Sequence, residues 1–96
     1  MFDLNISMEI KSDEDFAELR QYINKLSKRF PMFRHDVSRI ERIVEEHIKN
    51  YSIALVYYRQ SHQKNYLEKA QQEIDAINRV LGTVGKLELM AMLSQA

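Results

Sequence analysis

Three histidines and one pair of adjacent carboxylates are the residues best suited to chemistry in this chain. A metal site on a helix needs ligands four residues apart on one face, as in H-E-x-x-H. His35, His47 and His62 are spaced too widely for that, and Glu45, Glu46, His47 run in a non-matching order. No metal and no cofactor are expected. Glu45 and Glu46 point about 100° apart on a helix, so they form a solvated face, not an acid/base pair. His47 falls on or beside an apolar seam, which predicts an interhelical hydrogen bond, with a pH-sensitive contact as the sharper alternative. His35, next to Asp36, suits helix-cap chemistry. With no cysteine there is no thiolate nucleophile, thiolate metal site or disulfide. There is no G-x-S-x-G elbow, G-x-G-x-x-G or Walker loop, and two glycines, Gly82 and Gly85, cannot cradle a phosphate. These residues predict no enzyme.

Binding chemistry is better represented. Lys25, Lys28, Arg29, Arg34, Arg39 and Arg42 surround Phe30 and Phe33, with Tyr22 just upstream. Cations interleaved with aromatics can hold single-stranded nucleic acid, the phosphates on the cations and the bases on the rings. The two phenylalanines flank Pro31 at a helix junction, where core packing is the simpler use for them. Met90 and Met92, among Leu87, Leu89 and Leu93, offer a plastic surface for a partner helix or, as such residues more often do, complete a core or a dimer interface. The segment YSIALVYY, residues 51 to 58, is apolar nearly all round and must be covered on more than one side, by other helices or by another chain.

The elements that carry these residues are mostly helical. The exception is FDLNISMEI, residues 2 to 10, in which Phe2, Leu4, Ile6, Met8 and Ile10 alternate with polar residues, the period of a half-buried strand. Ser12 then serves as N-cap, acids follow in the first turn, and Asp15 stands at the capping-box position. Phe16, Leu19, Tyr22 or Ile23, Leu26 and Phe30 form one stripe, which Pro31 ends near Arg29. A second helix starts between Pro31 and Asp36 with the seam Val37, Ile40, Val44, His47 or Ile48, Tyr51, Leu55 and Tyr58. SHQKN, residues 61 to 65, is the expected turn. Leu67, Ala70, Ile74, Ile77 and Leu81 follow at spacings of three and four, and Gly82 with Thr83 favours a break or kink before a short last helix, the alternative being a helix that runs through Gly82 and Gly85 at about 1 kcal/mol for each glycine.

The expected fold is therefore mainly α. A single domain over residues 1 to 96 has an N-terminal β-strand at 2 to 10 and then three or four helices, the central two forming a long antiparallel hairpin. A lone strand exposes a row of backbone donors and acceptors that a second copy could complete about a two-fold axis. The sequence thus predicts a homodimer whose interface, or partner surface, draws on Phe2, Leu4, Ile6, Met8, Ile10, Tyr51, Leu55, Tyr58, Met90 and Met92. In element order alone, strand, helix, helix is similar to the ribbon-helix-helix repressors, whose paired strands enter the major groove. The outward residues here are Asp3, Asn5, Ser7 and Glu9, two of them acids that would oppose phosphates, so the likeness stays at element order.

Charge sets the remaining bounds. Fourteen basic and fourteen acidic residues give a formal net charge of zero, so the molecule as a whole has no field that draws in polyanions. The distribution is uneven: residues 1 to 19 carry a net −5 and residues 20 to 42 a net +5. No apolar run approaches the roughly 20 residues of a membrane span and no signal-peptide pattern is visible, which predicts a cytoplasmic protein with no membrane partner. The functional expectation is a non-enzymatic, self-associating module that binds an unidentified protein as an adaptor, chaperone-like or accessory factor. The alternative is a small nucleic-acid-binding regulator using the basic segment 20 to 42.

Overall fold

A computed structural model describes the backbone of residues 9 to 94 and the side chains in that range except those of Ala91 and Ser94. Three α-helices account for most of it: α1 Phe16–Arg29, α2 Arg34–Ser61 and α3 Lys64–Ser94. Short 3-10 turns, Asp13–Asp15 and Pro31–Phe33, lead into α1 and α2.

Each boundary has a local cause. Asp15 reaches back so that its carboxylate accepts the backbone N–H groups of Lys11 at 2.8 Å and Ser12 at 3.4 Å, the second half of the expected capping box. Pro31 occupies the first position of the second 3-10 turn, where its missing N–H costs nothing, and α1 stops at Arg29 as its position requires. α2 closes within the expected polar turn: His62 adopts the left-handed conformation, φ 56°, and its N–H donates to the Tyr58 carbonyl at 2.7 Å.

α2 and α3, 28 and 31 residues, form the expected antiparallel hairpin and set the long dimension of a 54 × 25 × 17 Å molecule. α1 runs back along α2, so Phe16 meets Tyr51 edge-on at 5.3 Å and Arg20 pairs with Glu45. The core gathers the α1 stripe Phe16, Leu19, Ile23 and Leu26 with Val37, Val44 and Ile48 of α2 and Ile74, Ile77, Leu81 and Val84 of α3. The hairpin is thereby divided. One end is a three-helix bundle, and the other, about residues 52 to 73, is an arm of two helices whose buried residues, Ala54 and Ala70, lie outside the core cluster. Small side chains at those points let the two helices approach.

Two expectations are corrected. The described residues contain no β-strand and fold as three α-helices with two short 3-10 turns, in keeping with the mainly α class. Of the segment read as a strand, Phe2, Leu4, Ile6 and Met8 lie outside the described residues, while Glu9 and Ile10 form no ladder. At Ile10 the cause is visible, since the side-chain amide of Asn78 on α3 takes the place of a neighbouring strand. Ile10 N–H donates to Asn78 Oδ1 at 2.8 Å and Asn78 Nδ2 donates to the Ile10 carbonyl at 2.9 Å, with the isoleucine side chain buried in the core. Second, α3 passes through Gly82 and Gly85 without a break, and neither glycine has a positive φ. Each costs about 1 kcal/mol relative to alanine. Burial of Leu81 and Val84 in the same turns outweighs that, at about 1.5–3 kcal/mol per large apolar side chain.

Candidate functional site

Among the described residues, three pairs of titratable side chains join the helices: His47 with Glu73, Arg20 with Glu45, and Tyr22 with Glu88. His47 Nδ1 lies 2.5 Å from Glu73 Oε2 across α2 and α3, the interhelical hydrogen bond its seam position implied. Glu45 keeps the solvated position expected of it, its side chain 43% exposed, and is held there by Arg20 from α1 with two bonds, Nε to Oε1 at 2.7 Å and a second guanidinium nitrogen to Oε2 at 3.1 Å. That hydrogen bonding lowers the Glu45 carboxyl below its ordinary range and raises the Arg20 guanidinium. Glu88, which no motif or spacing in the sequence singles out, is buried at 8% exposure, accepts a hydrogen bond from the Tyr22 hydroxyl, and is raised by burial. The Tyr51 hydroxyl is raised as well, first by burial and then by the charge of Asp13. Among the described residues no three His, Asp or Glu side chains converge to hold a metal ion.

Open apolar surface is the more distinctive feature. In the arm, Ile53, Val56 and Tyr57 are 43%, 48% and 50% exposed and share a shallow hollow with Ser52 and Gln60. Tyr57 stacks on Tyr66 of α3 at 5.4 Å. The hollow shares Ser52 and Val56 with a second concavity of about 470 Å³ at the shoulder where α1 begins, which includes Tyr51, Leu55 and Arg59. YSIALVYY is thus covered by α3 on one side and by the start of α1 at one point, and its outer side stays open.

A separate groove of about 380 Å³ runs between the first half of α2 and the second half of α3, lined by Ile40, Ile43, Val80, Leu87 and Met90, with Thr83. Asp36, Arg39 and Lys86 complete its walls. Glu45 faces α1 through Arg20, and Ile43, two residues earlier, lies about 200° round α2 from it, so this groove is on the side that α1 leaves uncovered.

The residues singled out from sequence do not converge on one surface. Ile10 belongs to the monomer's own core. Tyr51 and Leu55 line the shoulder, Tyr58 meets the His62 ring at 6.0 Å, Met90 lines the groove, and Met92 is half-buried against the core. Lys25, Lys28 and Arg29 of α1 and Arg34, Arg39 and Arg42 of α2 are all exposed on either side of the Pro31 junction. Sequence reasoning missed Ile43, Val80, Lys86 and Asn78. The available signal for Ile43 was an apolar residue standing one position off the Ile40 and Val44 seam; none existed for Asn78.

No protein-family model matches the chain, and neither a curated protein nor a solved structure does.

Proposed function

We propose that the protein is a non-enzymatic interaction module that self-associates through its two-helix arm and binds other proteins as an adaptor or accessory factor. The observation that carries this reading is the open outer side of YSIALVYY: Ile53, Val56 and Tyr57 are 43%, 48% and 50% exposed on α2, at and beyond the shoulder where α1 begins. A second copy's arm laid against the first about a two-fold axis would make four helices of two, covering both patches at once. No helix among the described residues is long and apolar enough to cross a membrane.

Light scattering on a sizing column at micromolar concentration tests the reading. The expected result is twice the 11.4 kDa chain mass for the native protein and the single-chain mass for Ile53→Asp/Val56→Asp. Both sites are exposed, so circular dichroism should show the double variant folded. A native monomer at that concentration defeats self-association.

A nucleic-acid reading has one observation in its favour, the six exposed cations at the Pro31 end of the bundle. Binding of that kind weakens steeply with salt. An anisotropy titration with single-stranded and duplex oligonucleotides at low salt supports it only if affinity falls as salt rises and Arg39→Ala/Arg42→Ala weakens it further.

A further inference from the structure

The α2 and α3 hairpin of the bundle has two grooves, and the occupied one shows what this fold accepts. α1 enters it with Phe16, Leu19, Ile23 and Leu26 at helical spacing and fastens its flank with the bidentate Arg20 to Glu45 ion pair. The opposite groove repeats the first half of that recipe, with Ile40 and Ile43 on one wall and Val80 and Leu87 on the other. Its flanking charge has the opposite sign to Glu45. Arg39 on α2 and Lys86 on α3 stand one on each wall, both exposed and neither in an ion pair among the described residues, against Asp36 alone.

We propose that this groove is the docking site for an amphipathic helix of another protein, with apolar residues spaced as in α1 and acidic residues along both edges. Carboxylates on the incoming helix would meet Arg39 and Lys86 as Glu45 meets Arg20, while its apolar face completes a four-helix arrangement at the bundle end. Charge complementarity is what selects the acidic edge, because a basic helix would meet like charge at Arg39 and at Lys86, which outnumber the single acid Asp36. From Val80 to Met90 the groove spans about 15 Å, about three turns of helix, so a partner segment of about 11 residues fills it. The proposal rests on the reading of the chain as an interaction module but not on the arm.

Two labelled synthetic peptides of that length test it against the full chain by fluorescence anisotropy. Both carry leucines at α1-like spacing; one has Glu along the edges and the other Lys at the same positions. The Glu peptide should bind about tenfold or more tightly than the Lys peptide, Arg39→Glu/Lys86→Glu should reverse that order, and Ile43→Asp should remove binding of both. All three positions are exposed, so these variants fold, and circular dichroism verifies it. Equal affinities, no binding to either peptide, or binding removed by Ile53→Asp and untouched by Ile43→Asp each overturn the proposal. If light scattering shows that Ile43→Asp separates a dimer while Ile53→Asp/Val56→Asp does not, the groove's occupant is a second copy, which overturns it too and also locates self-association away from the arm.

Discussion

Glu88 and Asn78 are polar side chains set into an apolar helix face, and each is there on different terms. Asn78 satisfies two backbone groups of Ile10 at once, which fixes the entry of the chain into α1 against α3. Asn78→Ala leaves that N–H and carbonyl part-buried without partners, and chemical denaturation should show a loss of about 1–3 kcal/mol. Glu88 has one donor among the described residues, the Tyr22 hydroxyl, and its burial disfavours the charged form. Because its carboxyl is raised in the folded state, folding favours the protonated form. The associated stability is fully present below the ordinary carboxylate range and is lost as pH rises through the raised value. Glu88→Gln keeps an acceptor for Tyr22 and removes the buried charge, so its melting temperature should exceed the native value at neutral pH and the gap should close on acidification. A gap that is constant with pH would show that Glu88 does not titrate in this way.

The helices themselves were legible in the sequence because their causes are local. The α1 stripe Phe16, Leu19, Ile23, Leu26, the stop at Pro31 and the turn at 61 to 65 each depend on residues within a few positions of one another. What could not be read depends on distant partners. Asn78 lies 68 positions from Ile10, and a period-two pattern cannot reveal that a side-chain amide will answer its backbone groups. Likewise the open groove follows from which side of α2 the first helix chooses, which the off-seam Ile43 hints at without deciding. Gly82 misled for a different reason, since its capping preference is worth less than the core contacts of Leu81 and Val84 on either side. An added Cβ at Gly82 or Gly85 meets nothing within 4 Å. Gly82→Ala and Gly85→Ala should therefore each raise stability by about 1 kcal/mol, measured by thermal or urea melts, whereas a native kink would make either substitution neutral or harmful.

At the scale of the whole molecule, the division into a three-helix bundle and a two-helix arm makes stability uneven along the same two helices. Amides of α2 near Val44 and of α3 near Ile77 sit over a core drawn from three elements, while in the arm, around Val56 and Leu67, the buried side chains are the two alanines Ala54 and Ala70. Local opening follows buried apolar contact, so the arm should exchange its amide hydrogens by fraying at a free energy below that of global unfolding. Hydrogen exchange at sub-micromolar concentration is expected to show arm amides at least about tenfold faster than bundle amides, a difference of about 1.4 kcal/mol in opening. Association through the arm adds a mass-action term that the bundle does not feel, so raising the concentration should slow exchange in residues 53 to 72 first. Ile53→Asp/Val56→Asp should erase that concentration dependence while leaving the Val44 and Ile77 regions unchanged. Uniform protection from one end of the hairpin to the other, at every concentration, would mean that the arm needs no second layer and that its exposed apolar side has no bearing on assembly.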